Sequence, residues 1–393
     1  MNSFSALDIP SSLHQNLHRL GLHVPTTIQN KAIPAILKGK DILASSHTGT
    51  GKTAAYGIPL GAHLSLKADY QGIILLPTRE LAIQVANTLS QIIHCKDKKI
   101  SSVLLIGGNS IKRQLSQLKQ KVSFIVGTPG RINDLLERGA LKLNNINYFV
   151  LDEVDRMLDI GFAKELNVIA KHMPKQRQTL MFSATISKAV QKLSNEYLQN
   201  PIQIFIGQQY VPIPKIKQRL IRIDKNAKFQ KLRDELNQRQ DSAIIFVNTK
   251  KLSDELSRQL IKIKISALPL HGDLKQNKRS YTIDKFRKQK FRILVATDVA
   301  ARGLDIEHIN LVVNYDIAIR AEDHIHRIGR TGRAGNHGEA INFLSPHDEN
   351  KWTKIKKLIE GKKSHPTQSN ISSYKRKRPL HRKITFKKRS LCQ

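Results

Sequence analysis

The chain has 393 residues, with 66 Lys and Arg against 31 Asp and Glu, a net charge of +35. Such a charge attracts polyanions, nucleic acid first; the alternative is a basic chain whose lysines are simply solvated. No run of 18 apolar residues occurs, which argues against a membrane span, and residues 1–10 lack the basic and apolar blocks of a secretory signal. Two lone cysteines, Cys95 and Cys392, argue against disulfides and structural zinc. We therefore expect a cytoplasmic protein without a membrane partner.

Short apolar runs alternate with helical patterns along most of the chain. Runs of this length, bounded by Gly, Pro or Asp, are typical of buried parallel strands. In the first half they are Ile42–Ser45, Gly72–Pro77, Ser102–Ile106, Ser123–Val126, Tyr148–Leu151 and Thr179–Phe182. In the second half they are Ala243–Val247, Ile265–Leu270, Arg292–Ala296, Leu311–Val313 and Glu339–Phe343. The alternation predicts two α/β domains with open parallel sheets that face a cleft.

Between the two halves, Pro212 and Pro214 interrupt any helix and suit an extended linker. After Glu360 the chain has no acidic residue, several clusters of Lys and Arg, and no apolar periodicity. This composition predicts a disordered arm that binds nucleic acid, with a nuclear-localisation signal as the alternative. The predicted divisions are residues 1–207, the linker 208–217, residues 218–360 and the basic tail 361–393.

The segment Ser46–Thr53 reads SHTGTGKT and directly follows an apolar run. Small residues let backbone N–H groups surround phosphate oxygens, and a following helix points its positive end at the same anion. We expect Lys52 to reach the terminal phosphates of ATP and Thr53 to hold Mg²⁺. The alternative is a turn that binds no ligand, since Ser46 stands where the pattern has glycine. The predicted ATP-binding loop comprises Ser46, His47, Thr48, Gly49, Thr50, Gly51, Lys52 and Thr53.

A second acidic motif supports the nucleotide interpretation. The apolar run Tyr148–Leu151 ends in Asp152 and Glu153, about a hundred residues after the loop. Asp152 stands where a carboxylate would complete a magnesium site together with Thr53, partly through water, and Glu153 is placed to orient an attacking water. The alternative is an ordinary acidic helix N-terminus.

Eleven motifs in order resemble those of DEAD-box ATP-dependent RNA helicases, from Phe4 to about Leu358. The resemblance implies two tandem RecA-like domains and an RNA-stimulated ATPase that unwinds short RNA duplexes or remodels ribonucleoproteins. The motifs are Gly21–Gln29, Ser46–Thr53, Pro77–Leu81, Gly107–Gly108, Thr128–Arg131, Asp152–Asp155, Ser183–Thr185, Phe246–Thr249, His271–Asp273 with Gln276 and Arg279, Ala296–Asp305 and His326–Arg333.

The resemblance assigns further residues to the ATP site. Gln29 offers a donor and an acceptor that match adenine, and Phe4 is placed to stack on the base, although a hydrophobic staple is the alternative for Phe4. Asp305 is expected at the ribose. Arg330 and Arg333 are expected on the γ-phosphate, with His326 linking them to Glu153.

The resemblance also implies how ATP drives work on RNA. Ser183 and Thr185 are expected to couple the nucleotide state to closure of the cleft. RNA is expected across both domains, held through its backbone and therefore without sequence preference. The expected RNA contacts are Thr78, Arg79, Gly108, Thr128, Gly130, Arg131, Asn248, Arg279 and Thr297.

Some residues depart from the usual family pattern. Val154 replaces Ala and is expected to pack in the core, whereas Ser46 and His47 replace Ala and Gln in the loop. Ala318 and His324 replace Pro and Tyr.

The compact N-terminus and the basic tail resemble those of bacterial relatives of the RhlE type, which implies partners in ribosomal precursor particles or RNA-decay machinery. The alternatives are an ATP-gated RNA clamp or scaffold that does not unwind, and a DNA helicase of similar fold.

Overall fold

The computed structural model describes residues 3–46, 49–67, 69–94, 100–206, 216–301, 306, 308–332 and 338–359. Within them, seven parallel strands form a first sheet in the order β3-β4-β2-β5-β6-β1-β7. Its strands are β1 (Ile42–Ser45), β2 (Gly72–Leu75), β3 (Ser102–Leu105), β4 (Phe124–Gly127), β5 (Tyr148–Asp152), β6 (Gln178–Ser183) and β7 (Ile202–Phe205). Its helices are α1 (Ser11–Arg19), α2 (Thr27–Leu37), α3 (Lys52–Leu66), α4 (Arg79–Ile92), α5 (Ile111–Leu118), α6 (Pro129–Glu137), α7 (Val154–Ile160), α8 (Ala163–Lys171) and α9 (Lys188–Tyr197).

The described residues after 215 form a second parallel sheet of six strands, in the order β10-β11-β9-β12-β13-β8. Its strands are β8 (Ile216–Arg222), β9 (Ala243–Phe246), β10 (Ala267–Leu270), β11 (Ile293–Ala296), β12 (Leu311–Asn314) and β13 (Gly338–Leu344). Its helices are α10 (Lys228–Asn237), α11 (Lys250–Lys262), α12 (Gln276–Arg287), α13 (Asp298–Ala301), α14 (Ala321–Ile328) and α15 (Glu349–Ile359).

Each sheet is buried on both faces, which explains the nearly continuous apolar runs in the sequence. In β1, Ile42 and Ala44 join one apolar cluster and Leu43 joins the cluster on the opposite face. In β9, Ile244 and Ile245 divide in the same way between two further clusters. Parallel sheets covered by helices on both faces require this composition. The prediction of two parallel α/β sheets is confirmed.

Two strands were missed by the sequence interpretation, and both lie at a sheet edge. Residues of β7 are mostly exposed, and four of the seven residues of β8 are polar or charged. An edge strand has one unpaired side and can have less apolar cover; β7 and β8 lack a continuous apolar run for this reason, whereas the opposite edge strands β3 and β10 keep one. β8 begins at Ile216, so the last two residues of the predicted linker belong to a strand. The rest of that linker from 208, and the tail 361–393, lie outside the described residues.

No helix in the described part of the chain is both long and apolar enough to cross a membrane.

Candidate active site between the two sheets

The phosphate-type loop lies between β1 and α3, at the carboxyl end of the first sheet, where ligands of open α/β sheets bind. Ser46 is buried, its hydroxyl lies 3.0 Å from the Thr50 hydroxyl, and its backbone N–H donates to the Ser183 carbonyl at 3.1 Å. Lys52, the first residue of α3, is also buried and donates to the Ser46 carbonyl at 3.1 Å. The loop is therefore tied to the sheet, with its lysine held beneath it. His47 and Thr48 lie outside the described residues.

The start of α2 holds the other end of this loop. The Thr26 hydroxyl donates to the Thr50 carbonyl at 2.7 Å, and the Gln29 amide donates to the Gly51 carbonyl at 3.0 Å. Gln29 also accepts from the Thr26 backbone N–H at 2.8 Å. Gly51 has φ +87°, and a Cβ there would come within 2.2 Å of Gln29 Nε2. Only glycine satisfies both the left-handed conformation and the close approach of Gln29.

Asp152, the last residue of β5, carries a buried carboxylate with two donors. The Tyr56 hydroxyl donates to its Oδ2 at 3.1 Å, and the backbone N–H of Glu153 donates to its Oδ1 at 2.9 Å. Burial raises the pKa of Asp152 to about 6, and the positive charge of Lys52 opposes that rise. The position thus favours a neighbouring cation.

Glu153 caps α7 in a left-handed conformation, with φ 55°. Its carboxylate accepts from Arg156 Nη1 at 2.6 Å, and both side chains are almost fully buried. Val154, the next residue, is fully buried in the core, as its apolar side chain predicts. At this sharp turn from strand to helix, Val154 therefore packs in the core, whereas the carboxylates of Asp152 and Glu153 are directed away from it.

The two predicted coupling residues are joined to α7 through Asp155. The Thr185 backbone N–H and hydroxyl both donate to Asp155 Oδ2 at 2.9 Å. The Ser183 hydroxyl accepts from the Asp155 backbone N–H at 3.4 Å and donates to the Thr185 carbonyl at 2.7 Å. A displacement of α7 would therefore pull directly on the Ser183–Thr185 segment.

At the carboxyl end of the second sheet, Arg327 organises a buried polar cluster. Its guanidinium forms a bidentate pair with Asp298, at 2.6 and 2.7 Å, and donates to Asn314 at 3.2 Å and to the Asp316 carbonyl at 2.6 Å. It also donates to Asn248 Oδ1 at 3.0 Å. The Asn248 amide nitrogen in turn donates to the Ile317 carbonyl at 3.0 Å. The predicted RNA contact Asn248 is thus held on both sides by its own domain.

Side chains from α4 of the first domain and α12 of the second domain meet across the cleft. Gln276 accepts from Arg79 at 3.2 Å and donates to Glu80 at 3.2 Å, while Glu80 pairs with Arg279 at 2.8 Å. The Glu80 and Arg279 side chains are both more than nine-tenths buried. Two predicted RNA contacts, Arg79 and Arg279, therefore lie together at this junction.

Other predicted RNA contacts lie near the carboxyl ends of strands in both sheets. Thr78 and Thr128 follow β2 and β4, while Thr297 follows β11. Arg131 donates to the Ile106 and Asn109 carbonyls at 3.3 and 3.2 Å, and so supports the loop that contains Gly108. Gly130 lies beside it at the exposed start of α6.

The remaining predicted ATP contacts are less direct. Arg330 is buried, and its Nε donates to the His326 carbonyl at 3.2 Å. Phe4 is only 3% exposed and packs in the first-domain core, as the staple alternative requires, so stacking on a base stays a prediction. Asp305 and Arg333 lie outside the described residues.

The comparisons with known proteins agree with this geometry. The sequence matches the families described as DEAD/DEAH box helicase, over residues 26–193, and Helicase conserved C-terminal domain, over residues 227–335. It is 40% identical over 361 residues to the ATP-dependent RNA helicase DbpA of Bacillus subtilis, covering 91% of this chain and 75% of that protein. The chain belongs to the DEAD-box helicase family. As a DEAD-box ATP-dependent RNA helicase it is an RNA-stimulated ATPase with two tandem RecA-like domains.

Two solved structures of one S. cerevisiae Dbp5 variant are informative about the domain arrangement of this DEAD-box helicase. Bound to RNA and ADP BeF3, that variant aligns with a TM-score of 0.80 at 32% identity, over 91% of this chain and 94% of that chain. Bound to a Gle1 variant and IP6, it aligns with a TM-score of 0.71 at 32% identity, over 92% of each chain. The arrangement described here is thus more similar to the form that holds RNA and nucleotide.

Several residues of this site escaped the sequence interpretation. Tyr56 and Arg156 each contact a predicted catalytic acid, Asp155 holds the coupling segment and Glu80 pairs across the cleft. Asp155 and Glu80 lie inside motifs that were recognised, so their position in those motifs could have identified them. Tyr56 and Arg156 each lie in the first turns of a helix, and their contacts depend on how the chain turns from the strand into that helix.

Proposed function

We propose that this helicase hydrolyses ATP at the carboxyl end of the first sheet and uses closure of the cleft to separate short RNA duplexes. The observation that carries the proposal is the convergence of buried Lys52, Asp152 and Glu153 at one sheet edge that faces the second sheet. Lys52 binds the terminal phosphates, and Glu153 orients the attacking water and accepts its proton. Arg330 and Arg333 are proposed to bind the γ-phosphate from the second domain, with His326 linking them to Glu153.

The donor set beside the loop fits Mg²⁺, which prefers oxygen ligands and keeps several waters. Thr53 supplies a hydroxyl and Asp152 a carboxylate, and the burial of Asp152 favours a cation there. When bound, the metal would neutralise charge on the phosphates. Thr53 and Asp152 would hold the metal, and Tyr56 keeps the Asp152 carboxylate in place.

Adenine recognition is proposed for Gln29, which retains one amide hydrogen and one carbonyl lone pair beyond its two contacts with the chain. Ribose binding is proposed for Asp305, and base stacking for Phe4 after a displacement from the core. Residues Ser46–Thr53 supply the phosphate cradle.

RNA is proposed to lie across the carboxyl edges of both sheets. Thr78, Arg79, Thr128 and Arg131 contribute from the first domain, and Arg279 and Thr297 from the second. Gly108 and Gly130 allow close approach of the RNA backbone, and Asn248 borders the same edge. Backbone contacts carry no base sequence, so binding is indiscriminate. The tail after Glu360 adds eleven basic residues and no acidic one, and tethers RNA near the cleft.

The cellular setting follows from composition and resemblance. The two unpatterned cysteines support a reducing cytoplasm. Ribosomal precursor particles or RNA-decay machinery are the proposed partners, on the resemblance to the RhlE type.

The substitution Glu153→Gln tests the proposal. It preserves shape but removes the proton acceptor, so ATP and RNA binding should persist while RNA-stimulated turnover falls about 10²–10⁴-fold. Turnover near the wild-type value would contradict the assignment of Glu153.

Duplex unwinding by the wild-type protein at modest ATP distinguishes a helicase from an RNA clamp, which would show ATP-dependent RNA binding without strand separation.

A further inference from the structure

Arg156 is a buried charge with few partners. Its side chain is 3% exposed, and Nη1 donates to Glu153 Oε2 at 2.6 Å. Among the described residues, its other terminal nitrogen, Nη2, is buried with no acceptor. A buried guanidinium that leaves a donor unsatisfied carries a desolvation cost that one hydrogen bond offsets only in part.

Arg327 shows what a structural buried arginine looks like in the same chain. It is equally buried, yet its guanidinium donates five hydrogen bonds, to Asp298, Asn314, Asn248 and the Asp316 carbonyl. Arg156 has no comparable network in the part of the chain that the structure describes. Stability of the fold therefore does not explain why an arginine stands at position 156, whereas its contact with Glu153 does.

The backbone directs Arg156 onto Glu153. Glu153 adopts a left-handed conformation that non-glycine residues rarely take, and such strain is typical of functional positions. Its backbone N–H is fixed to Asp152, so the turn cannot rotate freely. Residues three apart at a helix start lie on one side, which brings the guanidinium onto the carboxylate. The Glu153 side chain then has one anchored oxygen and a restricted rotamer.

We propose that Arg156 is a positioning residue for ATP hydrolysis, which holds the Glu153 carboxylate in the orientation that the attacking water requires. The proposal rests on the function proposed above for Glu153. A carboxylate that orients water must be held closely, because a displacement of about 1 Å can lower a rate about a hundredfold. The charge-assisted bond from Arg156 provides that restraint.

The test compares Arg156→Met, which keeps the apolar stem, with Arg156→Lys, which keeps the charge. We expect Arg156→Met to lower RNA-saturated kcat about 10- to 100-fold while KM for ATP and RNA affinity change less than about twofold. Arg156→Lys should recover part of kcat. The control is Arg177→Met, which removes a half-buried arginine that contacts the Pro174 carbonyl and the Phe149 ring, near the opposite end of the sheet. The control should leave kcat unchanged.

A cycle with Glu153→Gln separates this proposal from the proposed function. If Arg156 acts through Glu153, the double variant should be no slower than Glu153→Gln alone. Normal turnover in Glu153→Gln would overturn the proposed function, whereas a slow Glu153→Gln with a normal Arg156→Met would overturn the positioning role. Should Arg156→Met fail to fold, Arg156→Gln, which is polar but uncharged, replaces it: wild-type kcat in Arg156→Gln would overturn the positioning role, and a reduced kcat at unchanged KM would support it.

Discussion

The two sheets present their carboxyl ends to the same cleft, but they use polar residues differently there. At the first edge, Lys52, Asp152 and Glu153 are buried with one or two contacts each, and burial raises the pKa of Asp152 to about 6. At the second edge, Arg327 is bound on every side, and the Asn248 amide has both of its ends engaged. The first edge therefore retains capacity for a ligand, whereas the second is a rigid block.

This difference suggests that the two domains have different roles during turnover. A rigid second domain can carry arginines to the nucleotide as one body, since a network with all members satisfied has a single geometry. The first domain can instead change its contacts when nucleotide arrives, because its lysine and acids retain hydrogen-bonding capacity. Substitutions at the first edge should therefore affect turnover more than stability, and substitutions at the second edge the reverse.

Besides Glu153→Gln, the largest kinetic effect is expected at Lys52. Lys52→Ala removes the ammonium that faces the phosphates, so ATP affinity should fall and turnover should drop about 10²–10³-fold. Urea unfolding should show a much smaller loss of stability, because Lys52 donates a single side-chain hydrogen bond within the described residues. ATP titration and steady-state turnover measure the first effect. Unchanged ATP affinity would refute the phosphate-loop role.

Much of this first edge was predictable because parallel strands end together. An apolar run followed by SHTGTGKT and another followed by Asp152 and Glu153 must meet at one edge if their strands lie near each other in the sheet, and β1 and β5 are both neighbours of β6. The strands β7 and β8 were not predictable from apolar runs, since β7 is mostly exposed and four of the seven residues of β8 are polar or charged. The contact of Arg156 with Glu153 was also hidden, because it depends on the left-handed turn.

The largest expected stability effect is at the second edge. Arg327→Met leaves Asp298 without its cation and the Asn248 and Asn314 oxygens without a donor, so the free energy of unfolding should fall by about 3–5 kcal/mol. The matched control is Arg222→Met, which breaks an exposed ion pair with Glu349 and should cost about 0–1 kcal/mol. Urea unfolding of both variants measures the contrast. Equal losses would show that the cluster is not a rigid block.

A third prediction concerns pH, through His324 in α14. Burial lowers the pKa of His324 to about 3, and the positive charge of Arg327 adds to this while Asp298 opposes it. Trp352 and Gln218 pack against the ring. The unfolded chain takes up a proton below about pH 6.5 and the folded chain does not, so His324 stabilises the fold least at low pH. Its contribution should therefore decrease as the pH falls below about 6.5.

His324→Phe removes this proton uptake and keeps an aromatic ring against Trp352. Urea unfolding at pH 7.5 and pH 5.5 should therefore show a smaller loss of stability on acidification in the variant than in the wild type. His23→Phe, at an exposed position, is the control and should keep the wild-type loss. The same loss in His324→Phe and in the wild type would mean that His324 is not the residue that titrates.

The smallest expected effect lies where the two edges meet. Arg320, just before α14, forms an ion pair with Asp159 of α7, so the second domain contacts the helix that Glu153 caps and that contains Asp155. Both side chains are partly exposed, at 46% and 28%, and such pairs contribute at most about 1 kcal/mol. Either Asp159→Arg or Arg320→Asp alone places like charges together and should lower RNA-saturated turnover about two- to fivefold, by disfavouring closure. The combined exchange should restore most of it, and high salt should shrink both single effects. The same exchange at Asp69 and Lys121, an exposed pair within the first domain, should change nothing. If turnover in the double exchange at Asp159 and Arg320 is as low as the two single effects combined predict, the pair does not join the two domains during turnover. The second domain would then close on the nucleotide through other contacts.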